Sequence, residues 1–234
     1  MRRIVLGVAA LAVVSFVIST ASTQTPKGSS DRPGFNYGGA PKVDGPPLGK
    51  DAKEKQALAA LDEMTKGKWY LNITTREGRV LRQLVEAKGA KRVVEIGTSS
   101  GYSTIWLALG VRAVGGKVFT HEIDPEKIKI ARENFKKAGV DDLITIIKGD
   151  AHETVKQHKE PIDVVFLDAE KKGYLDYLAK LLPLVRPGGL ILGHDMHGRM
   201  PDPRYIKAIT KNPALDTSFI MMESFGISMT VKKR

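Results

Sequence analysis

Acidic residues stand at or just after the ends of several short apolar segments, and a lysine closely follows one of them. The acids are Glu95, Glu122, Asp150, Asp168 and Asp195, and Lys171 lies three residues after Asp168. Carboxylates in such positions can accept hydrogen bonds from hydroxyls or bind a hard cation, and a nearby lysine can move a proton. One such acid could be a helix cap, but five at the ends of successive segments indicate a site.

The apolar segments predict the elements that bring these acids together. The strand-like runs, rich in β-branched residues, span 92–97, 117–123, 143–149, 162–168 and 189–195, with two more near 218–222 and 227–232. Helical spacing is found at 51–66, 75–88, 102–109, 125–138, 151–157 and 174–185, and the stretch 203–211 precedes the last two strand-like runs. This alternation predicts an α/β fold, with a doubly wound, mostly parallel seven-stranded sheet and an antiparallel C-terminal edge pair. Ligands of such sheets bind at the carboxyl ends of the strands, where the acids lie.

The first predicted strand continues into a glycine-containing loop, EIGTSSGYST. Its spacing is E-x-G-x-x-x-G, so Gly97 and Gly101 allow a tight turn and close approach of a ligand to the backbone. The loop has no lysine and begins with Glu95, which disfavours a pyrophosphate. Glu122 ends the next strand, 25 residues after Gly97, where a carboxylate can accept both hydroxyls of a ribose. These features suit a cationic nucleoside without phosphates, and S-adenosylmethionine is such a ligand.

Five segments occur in the order found in a known family: VVEIGTSSGYST, HEIDPE, KGDA, FLDAEKKGY and GGLILGHD. With these segments the chain resembles the class I S-adenosylmethionine-dependent methyltransferases. More narrowly, it is similar to the small O-methyltransferases related to catechol and caffeoyl-CoA O-methyltransferase. The resemblance extends from about Leu71 to Lys233, and LDAEKKGY is its most specific part.

The resemblance implies S-adenosylmethionine as the cofactor and a set of residues that contact it. The implied set is Ile73 near the methionine end on the substrate side, Glu95 and Gly97 at the methionine part with Ser99 in the same loop, Ser103 at the methionine carboxylate, Glu122 at the ribose, Asp150 and Ala151 at the adenine, and Asp168.

The resemblance also implies roles for the acid and the lysine of FLDAEKKGY. Asp168 corresponds to an aspartate that binds a divalent metal, usually magnesium, and Lys171 to a general base. The chemistry explains this pairing. A phenol, with a pKa of about 10, is mostly protonated at neutral pH and is a weak nucleophile. A hard cation held by carboxylates lowers the pKa of bound hydroxyls and orients them, and a lysine beside it can take the proton.

The second metal carboxylate is expected to be Asp195, and the chain departs from the family pattern directly after it. The family usually places asparagine there as a third ligand, whereas this chain has Met196, whose sulfur is unsuited to magnesium. His194 and His197 flank the position, and either imidazole could complete a site with a preference for manganese, iron or zinc. The alternative is that both are ordinary loop histidines and that metal binding is weak or absent. The sequence leaves these alternatives open.

The N-terminal residues predict targeting rather than fold. Residues 1–21 combine two arginines, an apolar run at 4–18 and the small residues SerThrAla, which is typical of a signal peptide or a short membrane-targeting segment. At ~1.5 Å per residue the run is shorter than a ~30 Å hydrocarbon core, so no stable membrane span is expected. Residues 22–50 form a predicted Pro/Gly/Ser-rich linker, and 51–234 the O-methyltransferase domain. A signal peptide indicates export to a periplasmic or outside location, whereas the cofactor is cytoplasmic; the sequence does not resolve this conflict.

Composition bounds the possible partners. The 234 residues carry a net charge of +11 and contain no cysteine, which excludes disulfides and thiolate sites. The basic residues are dispersed, so nucleic acid is not expected, although an RNA methyltransferase on this fold is an alternative suggested by the charge. Met196 and the signal segment suggest another alternative, an exported, non-catalytic binding protein with a relic cofactor pocket. The expected partner is a small-molecule acceptor, with the charge leaning towards an anionic one. Relatives are often homodimers, which this sequence neither supports nor opposes.

Overall fold

The structure, a computed structural model, describes residues 45–66, 72–221 and 225–234. Its strands are β1 (Arg92–Ile96), β2 (Lys117–Glu122), β3 (Ile144–Lys148), β4 (Ile162–Leu167), β5 (Val185–His194), β6 (Leu215–Ile220) and β7 (Ile227–Lys232). Its helices are α1 (Ala52–Lys66), α2 (Thr75–Lys88), α3 (Tyr102–Arg112), α4 (Pro125–Ala138), α5 (Ala151–Thr154), α6 (Tyr174–Leu181) and α7 (Pro203–Lys211).

The predicted N-terminal segments fall largely outside this description. The signal segment at 1–21 and the linker up to residue 44 lie outside the described residues, so both stay predictions. Among the helices that the structure describes, none has the length and apolar character that crossing a bilayer requires.

The seven strands form one sheet in the order β3-β2-β1-β4-β5-β7-β6. Strands β1 to β5 are parallel, and β7 runs antiparallel to both β5 and β6. The predicted fold class is therefore confirmed, with β7 inserted between β5 and the edge strand β6. The chain moves outwards in one direction from β1 and in the other from β4, so a topological switch point lies between these two strands. Ligand sites of open α/β sheets form at such a point, outside the carboxyl ends of the strands.

The side chains of the inner strands point alternately to the two faces of the sheet, and helices cover both faces. Val93 and Phe166 belong to a core that includes residues of α1 to α4, whereas Val94 and Leu167 belong to a second core with α6 and α7. Successive side chains of a strand point to opposite faces, so a strand covered on both faces must be apolar throughout. This explains the nearly continuous aliphatic runs of β1 and β4.

Local signals fix the ends of the helices beside the site. Thr74 caps α2: its hydroxyl accepts from the Glu77 N–H, and the Glu77 carboxylate accepts from the Thr74 N–H at 2.7 Å. This reciprocal pair is a capping box, which satisfies two backbone donors that a helix start would otherwise leave without partners. Asp124 caps α4 directly before Pro125, and its carboxylate accepts from the N–H groups of Glu126 and Lys127.

A buried histidine pair ties β2 to the segment after α5. His121 Nε2 lies 2.9 Å from His158 Nε2, and His121 Nδ1 lies 2.7 Å from the Thr154 hydroxyl. Burial lowers the pKa of His121 to about 3, with a smaller contribution from His158. Burial, with the positive charge of Arg92, lowers the pKa of His158 to about 4. Both rings are therefore neutral in the folded protein at neutral pH.

Replacing His158 by glutamine should make the free energy of unfolding less dependent on pH in the acidic range. An unfolded histidine titrates near ~6.5, so the unfolded state binds more protons than the folded state between that value and about 4. Wild-type stability should therefore fall, relative to H158Q, by up to ~1.4 kcal/mol per pH unit as pH is lowered from 6.5 towards 4. Urea unfolding at pH 6.5, 5.5 and 4.5 measures this difference.

The comparison with H158Q cancels an opposing contribution from Glu95, whose pKa is raised by burial to about 7 in both proteins. Parallel stability curves for wild type and H158Q would show that His158 is already protonated in the folded state, contrary to the buried neutral pair.

Candidate active site

The loop after β1 passes so close to β4 that only glycine fits. Gly97 has φ 100°, and a Cβ there would overlap the Asp168 carbonyl oxygen. The N–H groups of Gly97 and Thr98 both donate to the His121 carbonyl at 3.1 Å, which holds the loop over the end of β2. Ser99 is also left-handed, with φ 48°. The predicted tight turn is therefore present at the switch point of the sheet, whereas the predicted approach of a ligand to this backbone stays a prediction.

Glu122, the last residue of β2, has its carboxylate fixed by the backbone. Oε2 accepts from the Ser99 N–H at 2.8 Å, and Oε1 accepts from the N–H groups of Ile123 and Asp124 at 3.0 Å. A carboxylate has about four acceptor positions and three of them are filled by the described residues, so one remains free, on Oε2. This immobilised carboxylate can accept a ligand hydroxyl without losing rotational freedom.

Two adjoining cavities of about 350 and 480 Å³ meet at Gly97 and Glu122. The smaller one holds the predicted adenine residues Asp150 and Ala151. The larger one is lined by the other predicted residues, namely Ile73, Ser99, Ser103, Asp168, Lys171 and Asp195. The structure therefore brings the predicted residues of the nucleoside end and those of the acceptor end to one continuous cleft, with one exception.

The exception is Glu95, which lies beneath the cleft and is fully buried. Its carboxyl group accepts hydrogen bonds from the hydroxyls of Ser103 at 2.6 Å and Thr104 at 2.5 Å. Burial raises its pKa to about 7, although these hydrogen bonds oppose the increase. The expectation that all five strand-end acids share one rim is therefore wrong for Glu95, because it lies within β1, one residue before the end of a strand that is covered on both faces. The proposed cofactor contacts of Glu95 and Ser103 stay predictions.

Lys171 lies at the opposite end of the cleft, held by several oxygen atoms. Its Nζ lies 2.8 Å from Asp195 Oδ2 and 3.4 Å from Asp168 Oδ1, and it donates to the Ala169 carbonyl at 3.0 Å. It also donates to the Tyr174 hydroxyl at 2.9 Å, which in turn donates to the Leu167 carbonyl at 2.7 Å. Burial, together with the charge of Asp168, raises the pKa of Tyr174 well above its ordinary value, so this phenol stays protonated. Tyr174 therefore anchors the lysine, a role that the sequence did not indicate.

Three potential metal ligands converge beside Lys171. Donor atoms of Asp168, His194 and Asp195 all lie within 4.8 Å of one another. His194 Nδ1 is 3.1 Å from Asp168 Oδ1 and 3.4 Å from Asp195 Oδ1. Asp195 adopts a left-handed conformation, φ 59°, which is costly for most residues and is often found at functional sites. This donor set of two carboxylates and an imidazole fits a divalent cation.

The structure distinguishes between the residues that the sequence left open around Asp195. Met196 is buried in the core with Tyr174 and Tyr205, and its N–H donates to the Gly226 carbonyl. His197 is exposed and lies outside the cluster of donors. Of the two histidines, His194 is therefore the one that lies beside the carboxylates. It is the last residue of β5, and its ring is directed towards Asp168.

Glu77 lies behind His194 and was not singled out from the sequence. Its Oε1 is 3.4 Å from His194 Nε2, and both side chains are buried. Burial alone would lower the pKa of His194, but the adjacent carboxylates of Asp168 and Glu77 outweigh it and raise the pKa to about 9. Glu77 had only the signal of a capping box, which gives no indication of a partner on β5.

The smaller cavity has an aromatic wall that the sequence also did not indicate. The His152 ring stacks on Tyr177 with centroids 4.7 Å apart. Glu170 Oε1 accepts from the Tyr177 hydroxyl at 2.7 Å and lies 3.1 Å from His152 Nε2. All three residues line the cavity beside Asp150 and Ala151. The wall offers a flat face and polar edges beside the predicted adenine position.

Comparison with known proteins agrees with this geometry. Residues 49–197 match the family described as O-methyltransferase. The chain is similar to a catechol O-methyltransferase of Niastella koreensis, with 29% identity over 75% of this chain and 89% of the relative. It is also similar to a catechol O-methyltransferase of Mycobacterium tuberculosis, with 36% identity over 62% of this chain and 65% of the relative.

A solved structure has the same architecture. The O-methyltransferase of Bacillus cereus in complex with SAH superimposes with a TM-score of 0.66 and 29% identity, covering 80% of this chain and 93% of that one. The family match covers more than half of the residues, and the order of the strands and the position of the cleft are consistent with it. The chain therefore belongs to the O-methyltransferase family.

Proposed function

We propose that this chain transfers the methyl group of S-adenosylmethionine to a hydroxyl of a small acceptor, catechol-like or a coenzyme A ester. The observation that carries the proposal is the Glu122 carboxylate, held by three backbone N–H groups where the two cavities meet. Similarity to catechol O-methyltransferases and to an SAH-bound O-methyltransferase supports the choice of donor and acceptor.

The nucleoside would bind across the two cavities. Glu122 accepts a ribose hydroxyl at the free position of Oε2, and Ile123, which is 66% exposed, supplies an apolar surface for the adenine. The methionine part extends into the larger cavity towards Ile73 and Ser103. The carboxylates that line this cavity favour a sulfonium and an ammonium over a phosphate.

The acceptor end would hold a divalent cation through Asp168 and Asp195. Their oxygens converge with the His194 ring nitrogen, and this donor chemistry fits the cation that the family resemblance implies. Such an ion would supply charge that lowers the pKa of an acceptor hydroxyl and fixes its orientation.

Lys171 would accept the proton of the acceptor hydroxyl. The free amine takes the proton at Nζ while the acceptor oxygen forms a bond to the methyl carbon. The carbon–sulfur bond breaks, and its electron pair stays on sulfur to give neutral S-adenosylhomocysteine. Tyr174 and the Ala169 carbonyl hold Nζ in place at the cleft, and this positioning supplies part of the rate.

Replacing Glu122 by alanine should weaken S-adenosylhomocysteine binding at least ~10-fold, because hydrogen bonds to a charged acceptor contribute about 1.5–3 kcal/mol. Calorimetry on both proteins measures the dissociation constants. E126A is the matched control. Glu126 is an exposed acid of α4 four residues later, and its replacement removes the same charge. If E122A binds as tightly as wild type, the nucleoside does not lie on Glu122.

Replacing Lys171 by methionine should reduce kcat ~10²–10⁴-fold, the usual contribution of general base catalysis. The dissociation constant of S-adenosylhomocysteine should change little, because Lys171 lies at the acceptor end. Turnover is measured with catechol and with caffeoyl-CoA as acceptors. K172M serves as the control, because Lys172 is the exposed neighbour in the same turn. A K171M protein with unchanged kcat would remove Lys171 from the reaction.

A further inference from the structure

His194 lies between two groups of carboxylates. On one side its Nδ1 is 3.1 Å from Asp168 and 3.4 Å from Asp195. On the other side its Nε2 is 3.4 Å from Glu77 Oε1. The ring is only 3% exposed, so water does not compete for either nitrogen. The packing therefore directs Nδ1 towards Asp168 and Asp195, and Nε2 towards Glu77.

The two oxygens of Glu77 have different tasks. Oε2 accepts from the Thr74 N–H at 2.7 Å and from the Thr74 hydroxyl at 2.9 Å, which completes the capping box of α2. Oε1 and His194 Nε2 are buried and have no hydrogen-bond partner of normal geometry within the described part of the chain, and they face each other. A buried carboxylate oxygen without a partner is costly, so Oε1 is positioned to accept the Nε2–H of His194.

We propose that His194 Nδ1 is the third protein ligand of the divalent cation at Asp168 and Asp195, that Glu77 is the positioning residue that holds the ring in this tautomer, and that the site therefore selects manganese over magnesium. This inference rests on the metal assistance proposed above and adds a nitrogen ligand to it. Metal-bound histidines generally donate their other N–H to a carboxylate or carbonyl group, which is the arrangement of Glu77. An imidazole suits manganese, iron or zinc, whereas magnesium prefers oxygen ligands only.

The charges in the cluster agree with a divalent ion. Before the acceptor binds, Glu77, Asp168 and Asp195 carry three negative charges, and Lys171 is an ammonium that supplies one positive charge and must lose its proton before it acts as the base. With a neutral His194 as ligand, two negative charges remain, which a divalent cation balances. Lys171 is closest to Oδ2 of Asp195, whereas His194 faces Oδ1, so the lysine and the ring use different oxygens of this carboxylate.

Electron spin-echo modulation on the full chain loaded with Mn²⁺ tests the ligand directly and needs no turnover. Wild type should show modulation from a directly bound ¹⁴N, and H194N, which can offer only an amide oxygen, should lose it. Mn²⁺ bound without this modulation would overturn the histidine ligand while leaving the metal role intact. No Mn²⁺ binding at all would overturn both this inference and the proposed metal role.

Glu77→Gln tests the positioning role. Its amide would present N–H to His194 Nε2, which forces the proton onto Nδ1 and blocks ligation. E77Q should therefore weaken Mn²⁺ binding ~10–100-fold and also lose the ¹⁴N signal. Mg²⁺ affinity should change less, so the preference of wild type for Mn²⁺ over Mg²⁺ should shrink in the variant.

The matched control is Thr74→Ala, which removes the capping hydroxyl of α2 but leaves Glu77 and His194 in place. T74A should melt at a lower temperature than wild type and keep the ¹⁴N signal. Circular dichroism at the temperature of the binding measurements checks that each variant is folded. Equal Mn²⁺ affinities for E77Q and wild type, or equal Mn²⁺ and Mg²⁺ affinities in wild type, would overturn the proposal.

Discussion

The close approach of β1 to β4 at Gly97 is the constraint on which the cleft depends. With no side chain at this position, the loop after β1 contacts the backbone at Asp168 and crosses the end of β2. The nucleoside end, marked by Glu122, and the acceptor end, marked by Lys171, are thereby parts of one cavity system. A side chain at Gly97 would separate the two strands and, with them, the donor of the methyl group from its acceptor.

The buried carboxylates near the cleft are each stabilised by a different kind of hydrogen-bond partner. Glu95 is satisfied by two hydroxyls of α3 and has a raised pKa, which suits a group in the interior of the sheet. Glu122 is satisfied by three backbone N–H groups and keeps one acceptor position for a ligand. Glu77 divides its oxygens between a helix cap and a histidine. A buried acid is tolerated only with such partners, so the partners decide what each acid can do.

Much of the fold could be predicted because its signals are local. The bounds of α2 and α4 were predicted correctly, since Thr74 and an Asp-Pro pair mark their starts and the apolar spacing indicates their extent. The start of β5 at Val185 was missed, because Pro187 and Gly188 are typical of a turn rather than of a strand. The order of β7 and β6 in the sheet could not be predicted either, since it depends on which strand packs against β5.

The site was predictable to the extent that position along a strand implies position in space. Glu122 and Asp168 end parallel strands, and such ends meet at one edge of the sheet, so both reached the cleft as expected. Glu95 also ends a strand but lies one layer deeper, which the pattern of apolar residues does not reveal. The contact between Glu77 and His194 joins a helix start to a distant strand end, and no spacing in the sequence carries that information.

The insertion of β7 between β5 and β6 also orders the events of biosynthesis. Within the described sheet β6 pairs only with β7, its partner in an antiparallel hairpin, so β6 can join the sheet only with β7 or after it. His194 pairs with Ile227 of this hairpin, so the β5 edge that carries the imidazole stays open until the last strand leaves the ribosome. Long-range pairings of this kind form slowly. The nucleoside half can thus take shape on a nascent polypeptide while the acceptor half is still incomplete.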